Sequence, residues 1–267
     1  MLAAGNSSRF NFKDNRFKKY FLRLNNSNIL GYIIAGMIEA GIRKIKIVAS
    51  KISNKLRYKK RILKSIVPPL INLRNIKLDV IENKILEREN GYSMILGLNT
   101  ISSKYILLSM ADHIFSKNVF SQMVKNYKGN DILLATDPMH RKGYYDIEDA
   151  TKVYGRNSFI IDIGKELSYY NRLDMGVFIL KSKSIKKICE RVTSNLYKFG
   201  VTNVILSGLN SDLNVGYYDF PNTIWLDIDD YEIYLKLKRL FNNESNFYPF
   251  GLIPPKYIAY SNKEKKN

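Results

Sequence analysis

Tyr105-Ile106-Leu107-Leu108-Ser109-Met110, followed at once by Ala111-Asp112-His113, is the stretch on which the fold turns. Its first six residues are apolar almost without interruption and do not alternate, the pattern of a strand covered on both faces. Residues 131–135 repeat it, and residues 44–49 (KIKIVA) and 77–81 supply two further short strands. Between these runs the apolar period lengthens to that of a helix, over residues 30–40 with Gly41 as the stop, and over about 93–102. Short buried strands alternating with helices predict an α/β chain: a mostly parallel sheet, right-handed crossovers and helices on both faces.

Beyond residue 150 the pattern changes. Strand-like pieces at 150–154, 158–163 and 175–180 are joined by polar turns and predict a small β-rich insertion over the sheet. A helix over 185–197, a strand over 214–219, and Trp225 leading into a helix over 231–241 complete the reading. Neither a linker nor an internal repeat divides the chain, so residues 1–261 are expected to form one domain. Its parts are about 1–135, about 136–225 and 225–245, with residues 262–267 (NKEKKN) as a disordered tail. Only three residues of strand precede Gly5, against the usual ~5–6, so either this strand is short or the true start lies upstream, the second being favoured.

Composition narrows the classes. With 45% hydrophobic and 12% aromatic residues, the 267-residue chain can bury a substantial core. No apolar run approaches the ~18 residues of a membrane span. One cysteine, Cys189, excludes an internal disulfide and a cysteine zinc site and fits a reducing, cytoplasmic setting. The net charge of +19 gathers partly at Lys55, Arg57, Lys59, Lys60, Arg61 and Lys64, which read as a solvated helix face. A basic field also draws in phosphorylated small molecules, and without a motif of interleaved aromatics no nucleic-acid partner is expected.

The candidate chemistry lies in three places. Asp112 follows a buried strand at its carboxyl end, where parallel sheets place their ligands. Trp225-Leu226-Asp227-Ile228-Asp229-Asp230 carries two carboxylates, Asp227 and Asp229, that alternate and so face one side of an extended segment. Either, paired with Asp112, completes an oxygen site suited to Mg²⁺, while Asp229 or Asp230 also suits the N-cap of the helix that follows. His113 reads as a loop residue and Trp225 as packing. At the front, Leu2-Ala3-Ala4-Gly5-Asn6-Ser7-Ser8-Arg9, with Lys18-Lys19 beyond, sets small residues whose N–H groups can ring an anion beside cations that can hold a polyphosphate.

That front segment resembles the LAAGxGSR…PK signature of the sugar-phosphate nucleotidyltransferases (the MobA-like NTP transferase superfamily). Five further segments resemble one branch, the CTP:inositol-1-phosphate cytidylyltransferases. They are Glu89-Asn90-Gly91-Tyr92-Ser93, Leu108-Ser109-Met110-Ala111-Asp112-His113, Tyr145-Asp146-Ile147-Glu148-Asp149-Ala150-Thr151-Lys152-Val153, Ile163-Gly164-Lys165 and Asp174-Met175-Gly176-Val177-Phe178. The resemblance spans nearly the whole chain and implies a Rossmann-like, GT-A-like nucleotidyltransferase fold with an acceptor-binding insertion. It implies that Leu2, Ala3, Ala4, Gly5, Ser7, Ser8 and Arg9 wrap the CTP phosphates with Lys19. It implies that Asn90, Gly91 and Ser93 read the base. Asp112 and Asp229 would bind Mg²⁺, with Asp227 the rival for the second place. Lys165 would grip the acceptor phosphate, Asp174 would bond inositol hydroxyls, and Glu148 and Lys152 would lie on the acceptor side.

The same resemblance implies small-molecule substrates, CTP and inositol 1-phosphate, and a separate membrane-bound phosphotransferase as the user of the product. Other readings are another nucleotide and acceptor pair, such as a sugar 1-phosphate or phosphocholine, or a non-catalytic regulatory domain of the same fold. Departures from the family pattern stand at Ser7 (usually Gly), Lys18 (usually Pro), Met175 (usually Thr) and Asp230 (usually Thr).

Overall fold

The computed structural model of the chain describes residues 1–5, 10, 18–25, 27–66, 75–116, 118–138 and 146–242. Its strands are β1 (Leu2–Ala3), β2 (Arg23–Leu24), β3 (Ser27–Asn28), β4 (Lys44–Ala49), β5 (Lys77–Glu82), β6 (Tyr105–Ser109) and β7 (His113–Phe115), then β8 (Ile132–Asp137), β9 (Lys152–Arg156), β10 (Phe159–Gly164), β11 (Arg172–Lys181), β12 (Val215–Asp219) and β13 (Trp225–Asp227). Its helices are α1 (Ile29–Glu39), α2 (Lys55–Ser65), α3 (Glu89–Leu98), α4 (Val119–Asn126), α5 (Ser182–Asn195), α6 (Val201–Leu209) and α7 (Tyr231–Asn242). Local chemistry sets several helix starts. Asn28, Asn54 and Asn118 each accept a backbone N–H, from Gly31, Arg57 and Ser121, and so cap α1, α2 and α4.

Strand order is β5-β4-β1 and β6-β11-β8-β12-β10-β9, and a parallel bridge between Leu2 and Met110 joins the two sets. The pairs β1–β4, β4–β5 and β8–β12 are parallel, and β11 runs antiparallel to both β6 and β8. Side chains alternate between two cores. Ile47, Val177 and Ile179 pack with Ile33, Phe115 and Phe120 on one face. Val48, Phe178 and Leu180 pack with Met94, Ile188 and Val204 on the other. Helices therefore cover both faces.

Two elements differ from the sequence reading. The strands after residue 150 join the sheet instead of lying over it. β11 enters its centre between β6 and β8, and β9 pairs with both β10 and the start of β11. The cause lies in β11 itself, where Met175 to Leu180 are all buried, so both faces must be covered. The helix expected over 93–102 runs from Glu89 to Leu98, so Asn90-Gly91 forms its first turn. A Cβ at Gly91 would lie 2.6 Å from the Phe199 carbonyl oxygen, and this close approach is what lets α3 start against the 199–200 backbone.

β1 is two residues long beside neighbours of six and five. Before it, the first halves of β4 and β6 flank a cavity of about 750 Å³ lined by Ile45, Ile106 and Leu108, with Met37 of α1 and Leu98 of α3. The Met1 ammonium enters this space, donates to the Lys46 carbonyl at 2.9 Å, and is pushed down to about 5 by burial. Among the described residues no helix is long and apolar enough to cross a membrane.

Candidate active site

β6 ends at Ser109, and the chain turns through Asp112 into β7. β7 pairs with β13 in the register Phe115–Trp225, Ile114–Leu226, His113–Asp227. The Ile228 N–H then donates to the Asp112 carbonyl at 3.1 Å, so the two acidic segments, over a hundred residues apart in sequence, are tied backbone to backbone. Asp230 accepts the Ile233 N–H at 2.8 Å and caps α7. Asp229, the other candidate for that cap, is engaged instead by Lys19.

Lys19 Nζ lies 2.8 Å from Asp112 Oδ2 and 2.7 Å from Asp229 Oδ1, bridging the two segments with a single ammonium. His113 Nδ1 lies 2.9 Å from Asp112 Oδ1 and 3.6 Å from Asp227 Oδ1. Burial pushes the Asp112 carboxyl up, but Lys19 and His113 outweigh it and hold it well below the usual carboxylate range. Burial opposes the charge of His113 too, yet Asp227 and Asp112 raise it to about 9. Asp227 goes the other way: burial and the neighbouring Asp112 lift it in spite of His113. One pair of carboxylates thus takes opposite shifts because Asp112 touches both cations at under 3 Å, whereas for Asp227 burial outweighs the more distant His113 and Lys19.

A cleft of about 260 Å³ opens beside this cluster. It is lined by Asp112, Asp146, Asp149, Asp174, Asp227, Asp229 and Asp230, with Lys165, His113, Asn90, Thr151 and Trp225. Lys19, His113 and Lys165 supply positive partners to Asp112, Asp229 and Asp149 within this set of carboxylates. Asp227 Oδ1 is buried without a hydrogen bond, and oxygens and nitrogen of Asp112, His113 and Asp227 lie within 4.8 Å of one another. An orphaned carboxylate oxygen among oxygen donors fits Mg²⁺, a hard cation that takes few protein carboxylates and leaves room for phosphate.

The structure brings Lys19, Asn90, Asp112, Lys165, Asp174, Asp227 and Asp229 together at or beside this cleft. Lys165 is ion-paired with Asp149. Asp174 accepts the Gly176 N–H at 2.6 Å and is pushed up to about 6 by burial. Asn90 accepts the Val201 N–H at 2.8 Å, which ties α3 to the start of α6. Ser93 lies off the cleft, buried at 2% exposure, and its hydroxyl accepts from Asn83 at 2.9 Å. Glu148 is exposed and not among the cleft-lining residues. Lys152 also lies outside that lining, donating to the Lys165 carbonyl at 2.6 Å and so holding the Lys165 backbone. Leu2 and Ala3 form β1, Ala4 is buried and Gly5 exposed. Ser7, Ser8 and Arg9 lie outside the described residues, as does the tail 262–267.

His113, Asp146, Asp149 and Trp225 line the cleft without having been singled out for it. Asp146 and Asp149 sit in the distinctive segment quoted for Glu148 and Lys152, and a three-residue spacing in a turn was the available signal. For His113 the deciding signal is the β7–β13 register, which no local pattern contains.

Residues 1–163 match the family model of the MobA-like NTP transferase domain. Over 240 residues the chain is 28% identical to an Aquifex aeolicus protein named bifunctional IPC transferase and DIPP synthase, covering 90% of this chain and 50% of that one. A Thermococcus kodakarensis protein of the same name is 25% identical, with 90% and 49% covered. The chain thus spans about half the length of the curated relatives it matches. Among solved structures it is similar to the inositol-1-phosphate CTP transferase from T. maritima, with a TM-score of 0.74, 23% identity, and 90% and 93% of the two chains covered. It is also similar to UDP-glucose pyrophosphorylase complexed with UDP-glucose, with a TM-score of 0.72, 17% identity, and 91% and 97% covered. At these identities the structural likeness shows a shared Rossmann-like nucleotidyltransferase fold. The family model covers well over half of the chain and includes Lys19 and Asp112, and the chain belongs to the MobA-like NTP transferase family, as a nucleotidyltransferase.

Proposed function

We propose that this chain transfers CMP from CTP to 1L-myo-inositol 1-phosphate, giving CDP-inositol and pyrophosphate. The observation that carries the reaction type is the convergence of Asp112 and Asp229 on Lys19 at the carboxyl end of β6, with Asp227 opposite His113, beside a cleft that holds Lys165. The substrate pair rests on the NGYS and DIEDATKV segments and on the printed names of the relatives.

An oxygen of the acceptor phosphate attacks the α-phosphorus of CTP in line. The new O–P bond forms as the bond to the bridging oxygen of pyrophosphate breaks, and that electron pair leaves with pyrophosphate. A phosphate monoester is already anionic near neutral pH, so the acceptor loses no proton and the chain supplies no general base. The remaining work is positioning and charge neutralisation. Lys19 faces the transferring phosphate, and Lys165, exchanged from Asp149, takes the acceptor phosphate. Asp174 meets acceptor hydroxyls, and the resemblance gives Arg9 the role of a cation for the leaving phosphates. Asp112, with Asp229 or Asp227, would hold Mg²⁺, which when bound neutralises phosphate charge. The product, an activated alcohol, suits a membrane-bound phosphotransferase.

The test is pyrophosphate release with Mg²⁺, crossing CTP, UTP, dTTP, ATP and GTP against inositol 1-phosphate, glucose 1-phosphate and phosphocholine. Release confined to CTP with inositol 1-phosphate is expected. A different productive pair would replace the substrates and keep the mechanism. Silence with every pair would leave a non-catalytic member of the fold. Asp112→Ala is expected to lower turnover by at least about a thousand-fold at an unchanged circular dichroism spectrum, by loss of a metal-holding carboxylate.

A further inference from the structure

His113 is held on every side. Its ring stacks on the Trp225 indole at 5.7 Å between centroids and 22° between planes. Trp225, 2% exposed, donates its Nε1–H to Asp137 Oδ2 at 3.0 Å, and Asp137 is fully buried at the end of β8. Across from them Gly176 adopts φ +70°, and a Cβ there would stand 2.8 Å from Cδ2 and 2.9 Å from Nε2 of the ring. So fixed, Nδ1 faces Asp112 Oδ1 at 2.9 Å and Asp227 Oδ1 at 3.6 Å, while Lys19 engages the other oxygen of Asp112 at 2.8 Å. A ring that only filled space would not require two carboxylates, from two different segments, opposite one N–H.

We propose that His113 is a positioning residue, which, braced by Trp225, Asp137 and Gly176, sets the Asp112 carboxylate toward Asp227 so that the two form one cation-binding pair. The inference rests on the metal reading of this site, not on the identity of the nucleotide or acceptor. A donor at the Nδ1 position is the part that matters; the aromatic ring is its mount.

Trp225 is the chain's single tryptophan, so Tb³⁺, a hard oxygen-seeking cation, reports binding here through luminescence sensitised by that indole. His113→Phe keeps the stacked ring and removes the donor, and Tb³⁺ affinity is expected to fall at least ten-fold with little change in thermal midpoint. His113→Asn replaces Nδ1 by an amide N–H and is expected to remain within about three-fold of the parent. Equal affinity of the parent and His113→Phe would overturn the proposal, as would a loss in His113→Asn as large as that in His113→Phe, which would show that a donor at the Nδ1 position does not restore binding. If the Phe variant does not fold, His113→Gln, with its amide one carbon farther out, takes its place in the same comparison. Asp112→Asn is the control. Sensitised binding untouched by that change would overturn both the metal reading and this inference. A failed pyrophosphate assay with the Tb³⁺ pattern intact would strike only the proposed reaction.

Discussion

At Gly176 two demands meet at one residue: φ of +70° and a neighbouring imidazole that a Cβ would strike at 2.8 Å. Gly176→Ala is therefore expected to cost more than the ~1 kcal/mol of a left-handed alanine alone. Urea denaturation measures that cost, and a parallel loss of turnover would show His113 displaced. Asp174 offers a pH test with a definite sign. Burial raises its carboxyl from 3.8 to about 6, so the folded chain binds its proton more tightly than the unfolded chain does. Ionising it in place costs stability as pH rises between those values, and the cost is constant above them. Asp174→Asn keeps an oxygen for the Gly176 N–H, at 2.6 Å in the parent, and removes the charge. Its advantage in thermal midpoint over the parent is expected to grow from about pH 4 to about pH 6 and then level off. A flat difference would contradict the burial of the charge.

At the scale of elements, strands with apolar runs were legible because their burial is written in consecutive residues. Lys44–Ala49 is the expected strand to the residue, and Tyr105–Ser109 and Ile132–Asp137 are shifted by no more than two at either end. Placement within the sheet was not legible. Nothing local tells β11 to lie between β6 and β8, because that choice is made by pairing with strands about 40 to 70 residues earlier. The same limit hid the site's geometry. Asp112, Asp227 and Asp229 could be named from their neighbours, but Asp230 as the cap and His113 as the bridge follow from pairings across the fold. β1 gives a prediction of its own. Four alternating apolar residues added before Met1 would extend it between β4 and β6, fill part of the 750 Å³ cavity and move the ammonium out of a buried position. Each inward side chain adds about 1.5–3 kcal/mol. A rise of at least about 5 °C in thermal midpoint is expected, against no change for an equally long Gly-Ser addition.

For the molecule as a whole, charge is sorted. A chain of net +19 places seven aspartates around one cleft, and among the described residues leaves its lysines and arginines mainly outside, six of them on α2, where Ile62 is the one buried residue. On the proposed reading, the outer field would draw polyphosphate in and the inner cluster would retain the cation that accompanies it. Because the outer charges are solvated, salt screens them. Raising ionic strength from about 50 to about 500 mM is expected to lower kcat/KM for the nucleotide several-fold with kcat nearly unchanged. A fall in kcat alone would point to the inner cluster. The pairing of Lys165 with Asp149 has a consequence at this scale. On the proposed reading an incoming acceptor must take that lysine from a carboxylate it already holds. A phosphate dianion brings two charges to the exchange, a carboxylate one, and a free alcohol none. On that reading unphosphorylated inositol, which brings no charge to the exchange, is turned away before its shape is read.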